Sequence, residues 1–279
     1  MRWADLDLLG HVNNVVYVDY LQEARVDMMR THGPSAQGAL AEGTVVVRHE
    51  VSYLAPLTFG FRPVSIECWV TEIRAATFTM AYEIFHDLPG DEGRHVYARA
   101  TTVLTPYVFS TESPRRLTDH ERETLTSFLE PTERVRLPPV RPVRPEAATR
   151  YPVRVRFSDV DVYGHVNNVK YFEYLQESRV LWMSELTRGH DLPRPHVVVA
   201  QTDVDYRAPI LLRHQPYDVW SQITRVGERS MTIESEIADG DRTLARGRVV
   251  VVFFDSETQR STTPSPELRE LLLAAVPAT

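Results

Sequence analysis

Apolar residues recur at helical spacing after each of two GHVNN segments. Val16, Tyr20, Leu21, Ala24 and Met28 follow the first, and Tyr171, Tyr174, Leu175, Ser178 and Met183 follow the second. Each set predicts an amphipathic helix of roughly four turns, N-capped by Asn13 or Asn14 and by Asn167 or Asn168. Strand-like segments come next, at Val45 to Leu54, Pro63 to Ile73, Phe78 to His86 and Tyr97 to Val108. The second half repeats them at Val197 to Tyr206, Tyr217 to Val226, Met231 to Ala238 and Thr243 to Phe254. A helix followed by antiparallel strands indicates an α+β domain, and the central helix is the only long element expected to cover the apolar face of its sheet.

The two halves are a tandem duplication. Arg2 to Val26 returns as Arg156 to Val180, 154 residues later, with about two thirds of positions identical. Every Asp, Gly, His, Asn, Gln, Glu and Arg of the first copy is retained except for one Asp-to-Glu exchange. Beyond this the halves pair at Tyr53-Leu54-Ala55-Pro56 with Tyr206-Arg207-Ala208-Pro209, and loosely at Trp69 with Trp220. A repeat this long is a domain, not a solenoid unit. The expected division is a first domain over 1–130, a linker over 131–150 and a second domain over 151–279.

Ser113 to Leu129 reads as a surface helix and Ser265 to Val276 as a terminal one. Pro131 to Arg150, rich in Pro and Arg, reads as an extended linker that packs no core. The second motif is led in by a strand-like Tyr151 to Val155, whereas only Met1 precedes Arg2. Either the first copy nearly lacks that strand or the true start lies upstream.

A chain of 279 residues, 43% hydrophobic, suffices for two single-core domains. It contains no apolar run near the ~20 residues of a membrane helix and no signal peptide before the motif, so a soluble, cytoplasmic protein with no membrane partner is expected. A net charge of -7 and a pI near 5.8 argue against nucleic-acid binding. The single cysteine, Cys68, falls on the apolar face of Val64, Ile66, Cys68 and Val70, and is read as core.

The chemistry lies in Asp-x-Asp-x-x-Gly-His-Val-Asn-Asn before each helix. Turn formation and capping account for Gly10, Asn13, Asn14 and their copies. They do not account for a paired carboxylate and imidazole. Asp7 and His11, like Asp161 and His165, sit four residues apart around a Gly turn and can face one point. Helix N-terminal amides there, from Val12, Asn13 and Asn14 and from Val166, Asn167 and Asn168, are candidates for an oxyanion hole or a cap. A carboxylate at that point can attack a carbonyl or activate water, and an imidazole can donate to it. Asp5 and Asp159 are read as turn caps. Glu23 and Glu177 are candidate second carboxylates, with a salt bridge to a neighbouring Arg as the alternative. Leu9, Tyr17, Tyr163 and Tyr171 are candidate substrate contacts.

Over DxDxxGHVNNxxYxxYLxExR, and more weakly at YxAP, the sequence resembles the hotdog-fold thioesterases, especially the 4-hydroxybenzoyl-CoA thioesterase type and the plant acyl-ACP thioesterases. The resemblance covers both halves. It implies a long central helix wrapped by an antiparallel sheet in each half, the two halves pairing as an intrachain pseudo-dimer, a double hotdog, with active sites at their shared interface. Further homo-oligomerisation is compatible with it. The second Asp of DxD is the reacting carboxylate in the first type, which falls on Asp7 and Asp161. The His of HVNN belongs to the acyl-ACP set and falls on His11 and His165. The sequence departs from that set at Leu9 and Tyr163, where it has no Asn.

The resemblance implies acyl-CoA as substrate, or acyl-ACP, hydrolysed to free acid and thiol without metal or organic cofactor. No Gly-rich phosphate loop is present, so a CoA substrate would need scattered arginines, with Arg74, paired to Arg225, and Arg229 as candidates. Asp, Asp and His at this spacing lack further ligands for a closed metal site, and no Gly-x-Ser-x-Gly elbow points to a serine hydrolase. Hydration or dehydration of an acyl thioester, and non-catalytic acyl-CoA binding, remain the alternatives. Free thiol against enoyl absorbance separates the enzymatic pair.

Overall fold

The computed structural model describes residues 1–31, 43–90, 93–132, 137–143, 145–190, 192 and 195–277. The chain divides into two compact units, Met1–Leu137 and Pro138–Thr279.

In the first unit, α1 (Asn14–Thr31) precedes β1 (Thr44–Tyr53), β2 (Ser65–Ile73), β3 (Phe78–Asp87) and β4 (Arg94–Val108). These strands form an antiparallel sheet in the order β2-β3-β4-β1, and the short β5 (Ser113–Pro114) pairs with β4. The interior strand β3 reads FTMAYEIF and is buried along nearly all its length, as expected when both edges are paired. α1 packs on the sheet, the Cys68 Sγ of β2 lying 3.3 Å from the Met28 Sδ. Cys68 is half-buried, and burial raises its thiol pKa.

The buried face of α1 is Val15, Tyr17, Val18, Leu21, Arg25, Met28 and Met29. The expected Val16, Tyr20 and Ala24 lie on its half-buried flank, so the apolar spacing located the stripe about one residue off. The described helix after the strands is short, α2 (Asp119–Thr126), and it is not merely superficial. Leu125 and Glu121 are buried, and the backbone that follows it bonds to Val70 of β2 through Val70 N–H to Phe128 O and Glu130 N–H to Val70 O.

The second unit opens with β6 (Thr149–Val153) and continues with α3 (Asn168–Leu186), β7 (Val197–Tyr206), β8 (Tyr217–Val226), β9 (Ser230–Asp239), β10 (Arg242–Asp255), the short β11 (Arg260–Ser261) and α4 (Pro266–Ala274). Strand order is β7-β10-β9-β8-β6, with β11 on β10. The lead-in strand pairs with β8. α3 is not the only cover of this sheet, because Leu268 and Leu272 of α4 join Trp182, Ile223, Met231 and Phe253 in one buried cluster.

Two sequence pairings need correction. The bulge after Val70 in β2 corresponds to the bulge after Ile223 in β8. This sets Trp69 against Gln222, not Trp220, and Arg74 against Gly227, not Arg225; the turns agree, with Arg74 N–H bonding to Thr77 O as Gly227 N–H bonds to Ser230 O. The linker is also less loose than its composition suggests. Val140 and Val143 are buried, the Val140 N–H donates to Asp205, and Arg248 donates to the Pro138 and Pro139 carbonyls. Prolines lack a donor but keep an acceptor, and an arginine on β10 uses it. Residues 133–136 and 144 of that segment lie outside the described residues.

Candidate active site

Each motif starts in a single 3₁₀ turn, Trp3–Asp5 or Phe157–Asp159. Asp5 is buried and accepts from the Arg2 N–H at 2.5 Å and the Tyr20 hydroxyl at 2.6 Å, tying the turn to α1. Burial alone would raise its carboxyl pKa. Hydrogen bonds from Tyr20 and Arg2, with the Arg2 charge, outweigh that and hold it below its ordinary value. Asp159 is buried and bonds to Arg156 N–H and the Tyr174 hydroxyl, each at 2.8 Å.

The next carboxylate organises the loop. Gly10 and Gly164 take φ of 75° and 83°, which favours glycine. The chain then closes with Asp7 N–H to His11 O at 2.7 Å and Asp161 N–H to His165 O at 2.8 Å. Asp7 Oδ1 accepts from Leu9 N–H at 2.8 Å and His11 N–H at 3.1 Å. Asp161 Oδ1 accepts from Tyr163 N–H at 2.9 Å and His165 N–H at 3.3 Å. Among the described residues, every side-chain bond either Asp accepts falls on Oδ1, so Oδ2 of a fixed, half-buried carboxylate carries none. The backbone of His11 pairs with Thr58 and that of His165 with Leu211, which seats both histidines on the segment after β1 or β7.

The helix-start amides divide. Val12 N–H bonds to Leu57 O and Val166 N–H to Ile210 O, while Asn13 N–H bonds to Asp5 O and Asn167 N–H to Asp159 O. These four are therefore not oxyanion donors, because the motif folds back on itself and on the YxAP segment. Asn13 and Asn167 are the caps, their Oδ1 atoms accepting from Val15 N–H at 3.0 Å and Val169 N–H at 2.9 Å. The Asn14 N–H, first in α1, has no partner among the described residues.

Tyr17 and Tyr171 are buried, and their hydroxyls accept from Leu57 N–H at 3.1 Å and Ile210 N–H at 3.0 Å. Burial raises both phenol pKa values. They are clamps beneath the site, a correction to their expected role as substrate contacts. Sequence reading missed their companions Tyr53 and Tyr206, although the repeated YxAP marked them. These stack edge-on against Tyr17 and Tyr171 and donate to the Asn14 and Asn168 carbonyls at 2.8 and 2.9 Å.

Other candidates lie apart. Glu23 and Glu177 are exposed, nine residues into their helices, about 13 Å along the axis from its start. Within its own unit Glu23 does not meet Asp7, nor Glu177 Asp161, and neither glutamate has an ion pair among the described residues. Arg74 follows the end of β2 and pairs with Glu72. The register Ile73, Phe78, Leu104, Val46 puts that end opposite Tyr53, about 23 Å away along β1. Arg225 and Arg229 likewise sit at the end of the second sheet remote from Tyr206. None of the three reaches the carboxylate of its own unit.

Leu9 is half-buried, Tyr163 exposed at the loop tip. An apolar rim that sequence reading did not find surrounds each turn. Exposed Trp3 and Phe61 each meet the half-buried Phe59 ring edge-on, and Leu8 projects fully. Phe157, Val162, Leu211 and Leu212 are exposed in the second copy. An open hollow of about 480 Å³ lies elsewhere, between α4 and the segment after α3, lined by His190, Leu192, Glu267, Glu270, Leu271 and Ala274. Among the described residues, no helix is long and apolar enough to cross a membrane.

A sequence profile described as Thioesterase-like superfamily matches residues 1–143 and 155–272. YsmA of Bacillus subtilis (strain 168), an uncharacterized protein, is 30% identical over 126 residues, which are 43% of this chain and 82% of that protein. The long-chain acyl-CoA thioesterase FadM of Escherichia coli (strain K12) is 29% identical over 135 residues, 43% of this chain and 93% of FadM. In structure, the 12:0-ACP thioesterase from Umbellularia californica superposes with a TM-score of 0.74 at 15% identity, covering 90% of this chain and 91% of that one.

Proposed function

This chain belongs to the Thioesterase-like superfamily, matched over both of its units, and on that premise we propose that Asp7 and Asp161 are the carboxylates that act on an acyl thioester. Each unit is a hotdog unit, so the chain is a double hotdog, and it is a thioester hydrolase. The observation that carries the assignment of the site is the divided carboxylate. Oδ1 of Asp7 is held by two loop amides while Oδ2 is left to react.

With the thioester carbonyl directed at the start of α1, the Asn14 N–H supports the developing oxyanion. Oδ2 then works in one of two ways. As a base it takes a proton from water, hydroxide adds to the carbonyl carbon, the C–S bond breaks, and the thiolate recovers the proton. As a nucleophile it forms a mixed anhydride with release of thiolate, and water cleaves the anhydride. Both deliver free acid and thiol. His11 and His165 serve as polarising donors. Acyl-CoA is the proposed substrate class, in line with FadM. The apolar rim of exposed Trp3, Leu8 and Phe61 around half-buried Phe59 suits passage of an acyl chain into the first unit.

Thiol release from short, long and aromatic acyl-CoAs tests the substrate class, and enoyl absorbance in place of thiol would overturn hydrolysis. A single turnover in ¹⁸O-water tests the anhydride route, since label in the Asp carboxylate arises only when water opens an anhydride at the Asp carbonyl.

A further inference from the structure

We propose that Arg25 anchors a buried carboxylate subsite in the first unit, taking the ω-carboxylate of a long acyl chain whose thioester lies at Asp7. This rests on the hydrolase reading above and adds the distal chemistry of the substrate. Arg25 lies on the inner face of α1, only 6% exposed, and its Nη1 is fully buried with no hydrogen-bond partner among the described residues. Its guanidinium is directed between helix and sheet, against the Tyr82 hydroxyl of β3 and near His49 of β1 and Cys68 of β2.

None of these neighbours supplies a counter-charge. Burial, with the Arg25 charge, holds His49 well below the usual imidazole value, and its Nδ1 meets Thr102 Oγ1 at 2.9 Å. Burial raises the Tyr82 hydroxyl and the Cys68 thiol, which keeps both protonated. The carboxylates on the same elements are engaged or turned away. Glu50 is next to His49 and so points to the other face of β1, where it meets Arg48 at 2.7 Å; Glu67 pairs with Arg94; Asp27 is exposed. A buried guanidinium surrounded by neutral groups is strongly unfavourable unless an anion joins it. Its planar fork of donors matches a carboxylate in two parallel hydrogen bonds.

Depth fixes the kind of ligand. Arg25 is eleven residues beyond Asn14, about 16 Å down the helix, roughly the span of an extended dodecanoyl chain. The second unit has Arg179 at the equivalent place but a different wall. There Ser178, Ser221 and Ser235 form a hydroxyl chain at 2.9 and 2.7 Å where the first unit has Ala24, Cys68 and Tyr82. The proposed selectivity therefore belongs to the first unit.

The test compares decanoyl-, dodecanoyl- and tetradecanoyl-CoA with their ω-carboxy analogues on the full chain. At the fitting length the ω-carboxy substrate is expected to have the higher kcat/KM by on the order of 10²-fold. In Arg25→Met that ratio should collapse towards unity, and in Arg25→Lys it should survive in part. Preference for the plain chain at every length, or a ratio untouched in Arg25→Met, overturns the subsite. A second readout needs no turnover. Dodecanedioate, unlike dodecanoate, should raise the Tm of the wild type but not of Arg25→Met. If no acyl-CoA is cleaved and this Arg25-dependent shift remains, the hydrolase reading fails and the subsite stands; turnover without the shift overturns the subsite alone. Arg25→Met should itself melt no lower than wild type, because it removes an uncompensated buried charge, and a large drop would mark Arg25 as a structural partner instead.

Discussion

The Tyr20 hydroxyl donates to Asp5 Oδ2 at 2.6 Å, and Tyr174 makes the same bond to Asp159 at 2.8 Å. The partners are fifteen residues apart in each copy, the acid in the turn before the loop and the phenol on the second turn of the helix. This bond holds the reactive loop against the helix start, so the first Asp of each DxD is a fastening and the second is the candidate for chemistry.

A pH dependence follows from it. The Asp5 carboxyl is depressed below its ordinary value of 3.8, so its stabilisation is fully present above that value and is lost as pH falls through the lower folded value. Asp5→Asn should reduce stability at neutral pH by about 1–3 kcal/mol, the usual cost of disrupting a buried charged hydrogen-bond pair. It should also flatten the acid limb of Tm against pH. Equal acid limbs in wild type and variant would show that the bond contributes nothing.

Much of this was legible in the sequence because two physical signals are strong. Alternation over Tyr217 to Val226 gave that strand to the residue, since one face of it must meet the core. Duplication singled out the Asp, Gly and His positions of the loop. What was not legible depends on contacts distant in sequence. Tyr17 reads as a pocket residue until Leu57 N–H is seen to take its hydroxyl, and Arg74 reads as a phosphate ligand until strand register carries it to the far end of the sheet. The amides of Val12 and Asn13 fail as oxyanion donors for the same reason, their acceptors lying on Leu57 and Asp5.

The loop glycine makes a second prediction. Gly10 at φ 75° has open space around an added Cβ, so Gly10→Ala meets backbone strain and no clash. A cost of about 1–2 kcal/mol is expected, with kcat lowered because Asp7 and His11 flank the strained residue. Gly10→Asn, which tolerates this conformation, should recover most of the stability. Equal melting of all three proteins would show that the loop does not hold this φ in solution.

A third concerns packing in the second unit. A Cβ added to Gly247 of β10 would come within 2.5 Å of the Leu175 Cδ1 on α3. The register places Ala100 at the equivalent position of β4, so the first unit accommodates a methyl there. Gly247→Ala should cost about 1–3 kcal/mol by overpacking. Combined with Leu175→Ala it should cost less than the sum of the single changes, because the shortened side chain makes room. Strict additivity in denaturant melts would mean that helix and strand separate freely.

The most direct prediction concerns the two divided carboxylates. In Asp7→Asn and Asp161→Asn the amide oxygen can replace Oδ1, which accepts the loop amides of Leu9 and His11, or of Tyr163 and His165, so the turn should survive. The reacting Oδ2 becomes an NH₂ that can neither accept a proton nor attack a carbonyl. Each single variant should retain part of the thioesterase activity, and the double variant should lose on the order of 10²- to 10⁴-fold, the range for loss of a general base. Thermal melts serve as the control, because the hydrogen bonds predict a folded double variant. If one single variant abolishes turnover and the other leaves it intact, only one copy reacts and the other Asp merely closes its loop. A folded double variant with the wild-type rate on its best acyl-CoA would leave both carboxylates as loop caps and move the chemistry elsewhere in the molecule.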